Sequence, residues 1–218
     1  MKNSVYLLVS LLLLIGCKNT TEEKVVPRVD TLPFYDDPAF TPKWISKDSD
    51  SLKNFHAIAN FSLTDQEGKT ITNATFANKI YITNFFFTTC PGICPKMVTS
   101  MTTLQKEFLN NDGVELLSHT VTPETDSVSV LKSYATDNGV VPAKWHLVTG
   151  TRKEIYALGR KSYFVEEDLG KKKSEDDFLH TENFVLIDKS KHIRGIYNGL
   201  NPASMQELIA DVKLLQKE

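Results

Sequence analysis

Cysteine is scarce in this chain, three in 218 residues, too few for the disulfide framework that holds small secreted domains together. Two of the three, Cys90 and Cys94, lie four residues apart, so cysteine is concentrated at one place. There is no excess of positive charge: Lys and Arg number 25 against 27 acids, a formal net charge of -2. No broad field therefore exists to hold nucleic acid or an anionic membrane surface. Glycine (10) and proline (9) stand at ordinary levels, and no internal repeat points to a solenoid. No apolar run approaches the ~20 residues that a membrane-spanning helix needs. What is present is aromatic: 12 Phe and 7 Tyr supply the core material that disordered chains lack. The length fits one folded domain with extensions.

Residues 1–17 read MKNSVYLLVSLLLLIGC, with Lys2 near the start and an apolar run from Val5 to Ile15 broken by Ser10. That is the pattern of a signal peptide. It resembles a bacterial lipoprotein signal, in which Leu14-Ile15-Gly16-Cys17 is the lipobox, cleavage falls before Cys17, and the Cys17 sulfur carries a diacylglycerol. The resemblance implies a chain held in the cell envelope by a lipid anchor on a bacterial membrane and facing the periplasm. Removal of the signal takes Lys2 with it and leaves 24 bases (25 - 1) against 27 acids. Cys90 and Cys94 are then the free thiols.

Three segments follow from these shifts in composition: a signal peptide over 1–16, an anchor, tether and arm over 17–54, and a folded domain over 55–218. The tether to about Asp30 is polar. Between Thr31 and Ile45, Pro33, Pro38 and Pro42 forbid regular structure while Phe34, Tyr35, Phe40 and Trp44 offer apolar surface, which predicts an extended arm packed on the domain, a partner-binding segment being the alternative. Residues 58–64 alternate and end in the turn residues 65–69, a hairpin. Residues 79–87, KIYITNFFF, read as a central strand covered on both faces. Helical spacing of Val98, Met101, Leu104 and Phe108 follows, stopped by Asn110-Asn111-Asp112-Gly113. The pattern then predicts a strand at 114–121, a helix at 127–136, a strand at 146–148 and a helix at 152–161. Residues 166–177 read as a charged, solvated loop. Residues 183–188 and 192–197 flank Lys189-Ser190-Lys191 as a second hairpin, and Pro202 opens a last amphipathic helix. This order implies an α/β domain, a central mixed sheet with helices on both faces and an added N-terminal hairpin. With a cysteine pair at the end of a central strand, it looks like a thioredoxin-type fold.

Cys90 and Cys94 bracket Pro91-Gly92-Ile93 where the strand ends and a helix begins. Unpaired amides and the helix dipole stabilise anions there, so one or both thiols should be more acidic than the reference of about 8.5. A thiolate is both the nucleophile of disulfide exchange and a soft metal ligand, and the charge argument does not choose between them. Residues four apart on a helix have Cβ atoms about 5–6 Å apart, wider than the ~3.8 Å of a disulfide, so CxxxC leans toward chelation. A structural role for both thiols is the remaining alternative. Among five histidines, His180 lies between the charged loop and the hairpin strand, in a segment that a thioredoxin-type topology brings near the cysteine helix. Two thiolates and an imidazole suit trigonal Cu(I), whereas zinc would seek a fourth ligand. His56 and His192 read as surface or capping residues, His119 and His146 as packed rings, and Met97 and Met101 as core. A thioredoxin-superfamily peroxidase would have threonine three residues before its cysteine; Phe87 stands there.

The stretches TTCPGICPKM, TVTPETDS, VTGTRKEI and HTENFVLID, in this order from about Phe61 to the C-terminus, are similar to the Sco/SenC family of copper-binding, thioredoxin-like proteins. The resemblance implies that Cys90, Cys94 and His180 are copper ligands. It also implies a membrane-tethered metallochaperone, not an enzyme, that delivers copper to the Cu(A)-carrying subunit of cytochrome c oxidase or another copper acceptor. The alternative is a thiol-disulfide oxidoreductase that reduces an acceptor's cysteines with the dithiol Cys90 and Cys94. A zinc-stabilised interaction module is a third reading. Two positions depart from the family pattern: Leu179 precedes the histidine and Thr122 precedes the proline, where aspartates are common. Loss of the first removes a carboxylate that could orient the imidazole, and with it bears on Cu(II). Asp126 matches the later acid of the second segment.

Overall fold

The structure, a computed structural model, describes residues 29–166 and 177–218. The expected signal peptide, Cys17 and most of the tether lie outside the described residues, as does most of the charged loop. Seven strands form one sheet: β1 (Ser62–Asp65), β2 (Thr70–Thr72), β3 (Ile80–Phe86), β4 (Val114–Thr120), β5 (Trp145–Thr149), β6 (Asn183–Ile187) and β7 (Ile193–Asn198). Their order is β2-β1-β5-β4-β3-β6-β7. The three central strands β5, β4 and β3 run parallel, and both flanking hairpins pair antiparallel to them. The helices are α1 (Cys94–Phe108), α2 (Val128–Asp137), α3 (Arg152–Ala157) and α4 (Pro202–Leu215).

The two faces of the sheet explain the near-continuous apolarity of its central strands. Ile80, Ile82 and Phe86 of β3 pack into one core with Met97, Met101 and Leu104 of α1, Leu131 of α2 and Leu208 and Val212 of α4. Tyr81 and Phe85 turn to a second core with Ile155 and Tyr156 of α3 and Leu63 and Ile71 of the first hairpin. The mixed α/β sheet with helices on both faces and the N-terminal hairpin is therefore as expected, and Met97 and Met101 are fully buried core residues.

Local differences have physical reasons. β1 starts at Ser62, because Ile58 and Ala59 spend their N–H groups on the Lys191 carbonyl and the Ser162 hydroxyl. The helix expected over 152–161 leaves α-geometry after Ala157 and widens into a π-helical turn over Leu158–Ser162. The arm is anchored by buried Leu32 and Phe34 and by single bridges of Phe34 to Lys43 and Tyr35 to Ile193, whereas Trp44 stays 61% exposed. His192 corrects the surface reading: it is buried, its Nδ1 bonds the His56 carbonyl at 2.8 Å, and its ring meets Phe34 and Phe55 edge-on.

His119 is the packed ring that its strand position implied. It stacks on Phe85 with centroids 4.7 Å apart, its Nδ1 bonds Thr83 Oγ1 at 3.1 Å, and its Nε2 has no hydrogen-bond partner among the described residues. Burial pushes its pKa down to about 3. The unfolded chain, with histidine near 6.5, therefore binds a proton that the folded chain refuses, and stability falls as pH drops from about 6.5 toward 3. His119→Phe should remove up to about 1.4 kcal/mol per pH unit from that slope. Urea unfolding of both chains between pH 7 and 4 checks this; parallel slopes would contradict it.

Candidate metal centre

β3 ends at Phe86 and α1 begins at Cys94, so the dithiol sits at the carboxyl end of the central parallel strands, where open α/β sheets place their sites. α1 starts without a side-chain cap: Ile93 at the N-cap makes no such bond, and proline follows Cys94 within the first turn. Cys90 lies just ahead of this turn. Partial burial raises its pKa, but the Cys94 thiol and the backbone N–H groups of Cys94, Gly92 and Ile93 bond to this sulfur and hold its pKa below the ordinary thiol value. Cys94 goes the other way. Burial first, and then its hydrogen bond to Cys90, push its thiol up to about 12. The expectation that one or both thiols are acidic is met by Cys90 alone, the half-buried member; Cys94 is buried at 4% exposure.

Two residues to which the sequence assigned no part in the site complete the surroundings. The Tyr134 ring on α2 meets Phe86 at 5.4 Å, and burial, with the charges of Cys94, Cys90 and Asp126 nearby, raises its hydroxyl pKa. Asp126, noted only as a motif match, is fully buried and accepts from Thr88, Thr120 and Thr122. No periodicity marks hydroxyls that converge from three loops and strands; the TTC and TVTPETD clusters were the only signal.

His180 is exposed on the segment leading to β6. Its neighbours fix that segment against the site: Phe178 meets Phe87 edge-on at 5.4 Å, and Leu179 is buried in the second core. Gly159 in the π-helical turn makes room for Leu179, since a β-carbon there would lie 2.5 Å from Leu179 Cδ1 and 3.2 Å from Phe85. A leucine in place of the family's aspartate thus anchors by apolar packing. The structure brings the two thiols into contact; among the described residues, no group of three or more His, Cys, Asp or Glu is close enough to hold a metal ion. His146 pairs with Asp65 at 3.2 Å, and His56 bonds the Ser162 carbonyl at 2.7 Å, so each is engaged elsewhere.

A family model described as SCO1/SenC matches residues 49–216. The chain belongs to the SCO1/SenC family. It is 29% identical over 160 residues to a SCO1 protein homolog of Bacillus subtilis, covering 72% of this chain and 82% of that one. The structure of BsSco, a protein with a disulfide switch in the Sco family of cytochrome c oxidase assembly proteins, superposes with a TM-score of 0.61 at 27% identity. That match covers 73% of this chain and 93% of BsSco. Arabidopsis thaliana ScoI, a structure with copper bound, gives a TM-score of 0.57 at 27% identity over 74% of this chain and all of that one. The fold is the thioredoxin-like one of Sco proteins.

The two thiols of this Sco-family chain differ in both charge and access. At neutral pH iodoacetamide should label Cys90 at least about tenfold faster than Cys94. Peptide mass spectrometry over a time course measures this; equal rates, or faster labelling of Cys94, would contradict the arrangement.

Proposed function

We propose that this Sco-family chain is a copper metallochaperone, not an enzyme, that serves assembly of the Cu(A) site of cytochrome c oxidase or another copper acceptor. In this reading the reduced thiols of Cys90 and Cys94 and the neutral imidazole of His180 bind Cu(I), and ligand exchange passes the ion on. The observation that carries it is the paired, chemically unequal thiols at the start of α1, in a chain whose family includes a copper-bound structure. Two soft sulfurs and one imidazole suit Cu(I) better than Zn(II), which would need a fourth ligand. His180 stands exposed two residues from Phe178, which contacts Phe87, and in this reading it joins the thiols as the ion loads. Its segment is anchored by the packing of Leu179 in the second core.

The domain hangs in the cell envelope through a lipid on Cys17, with residues 1–16 removed as signal and 17–54 serving as anchor, tether and arm. Supporting this is the sequence around Cys17; no helix among the described residues is long and apolar enough to cross a membrane.

A second reading is favoured by the low thiol pKa of half-buried Cys90, which suits a nucleophile attacking an acceptor's disulfide, with buried Cys94 resolving the mixed disulfide. His180 separates the two readings. In competition against a colorimetric Cu(I) chelator, Cys90→Ala, Cys94→Ala and His180→Ala should each weaken binding by at least about two orders of magnitude, because even outer-shell changes cost 10–100-fold. His180→Ala should leave exchange with a disulfide substrate largely intact. Copper binding undiminished in His180→Ala would contradict the chaperone assignment.

Loading must also displace the Cys94 proton, since that thiol is protonated at neutral pH. The apparent Cu(I) affinity of the wild type should therefore rise with pH, about tenfold per unit for each proton released. Repeating the same titration from pH 6 to 8 tests this, and a flat profile would contradict it.

A further inference from the structure

The buried carboxylate of Asp126 is held by hydroxyls and a backbone amide, with no basic side chain among its hydrogen-bond or ion-pair partners in the described residues. Its Oδ1 accepts from the Thr88 hydroxyl at 2.5 Å. Its Oδ2 accepts from the Thr88 N–H at 3.2 Å, the Thr122 hydroxyl at 3.0 Å and the Thr120 hydroxyl. Thr88 lies two residues before Cys90, Thr120 closes β4, Thr122 lies in the loop beyond it, and Asp126 precedes Ser127, the residue that caps α2. One side chain therefore ties the exits of β3 and β4 to the start of α2, and holds the chain two residues before Cys90. A buried anion satisfied by neutral donors is a poor source of stability compared with an apolar side chain of the same volume. Its value lies in direction, because each donor must approach a lone pair from one side.

We propose that Asp126 is the positioning residue of the dithiol, acting through Thr88 to hold Cys90 at its approach to Cys94. The inference rests on the reading of Cys90 and Cys94 as the working thiols. Thr122 belongs to the same device: it supplies a third hydroxyl to the carboxylate where an aspartate would place a second negative charge. Tyr134, packed on Phe86 beside the thiols, forms the wall on the α2 side.

The test uses the full chain equilibrated with glutathione. Oxidation of the dithiol by glutathione disulfide forms the Cys90–Cys94 bond and breaks the glutathione S–S bond. Two electrons pass to glutathione, and the two thiol protons end on the two glutathione thiols. Loosening the Thr88–Cys90 segment lowers the effective concentration of one sulfur at the other, so the oxidation equilibrium constant should fall. Asp126→Asn and Thr88→Val should each lower it at least about tenfold, whereas Thr88→Ser, which keeps the hydroxyl, should stay within about twofold of wild type. Glu115→Gln alters a buried acid at the far end of β4, paired with Lys79 at 2.8 Å, and should reduce thermal stability without moving the constant.

If Asp126→Asn does not fold, the Thr88→Val and Thr88→Ser pair decides alone. Thr88→Val within twofold of wild type, or Thr88→Ser or Glu115→Gln shifting the constant as far as Thr88→Val, would overturn the proposal. The readout uses no copper. A wild type that fails to bind Cu(I) while these shifts appear would therefore count against the chaperone reading and leave the positioning role standing.

Discussion

A helix that starts without a side-chain cap is the constraint on which the site depends. Cys94 opens α1 with proline in its first turn, and hydrogen bonds from Cys94, Gly92 and Ile93 lower the pKa of the Cys90 thiol just ahead of it. Those donors and the positive end of the helix favour the thiolate. The same turn buries Cys94 behind it. From one feature of backbone accounting come two thiols of opposite character, one poised to react and one kept protonated. Met97, Met101 and Leu104 hold α1 on the sheet, and that packing keeps the turn where it is.

The chemical inequality links the two functional readings. A thiolate at the surface with a protonated partner behind it is what disulfide exchange requires, and in the proposed copper reading the same pair chelates once the second proton leaves. Copper chemistry and thiol chemistry therefore draw on one geometry, and the imidazole on the segment before β6 is the element that distinguishes them. That segment is fixed by apolar contacts: Leu179 fills the space left by Gly159, and Phe178 leans on Phe87. Its anchoring differs in kind from that of the dithiol loop, which is tied by hydrogen bonds through Thr88 to Asp126.

Much of this was legible in the order of residues. A strand covered on both faces must be apolar on both, and β3 reads so from Ile80 to Phe86; α1 and α4 announce themselves by spacing, with Pro202 at the start of the latter. The cysteine pair stood out because nothing else in the chain resembled it. What stayed hidden depends on contacts between segments remote in sequence. His192 looked like a turn residue beside lysine and arginine, yet the arm brings Phe34 over it and buries it. The widening after Ala157 has no local signal, and it lies where Gly159 meets Leu179 and Phe85, contacts from remote segments. The role of Asp126 requires three threonines from two strand ends and a loop, a convergence that no single-segment pattern encodes.

X-ray absorption spectroscopy on the chain loaded with one Cu(I) tests the account most directly, since it counts the atoms around the ion. The account predicts two sulfur neighbours and one imidazole nitrogen, with the imidazole signature lost in the His180→Ala chain. A sulfur-only shell, or an imidazole signature that persists after His180 is replaced, would contradict it.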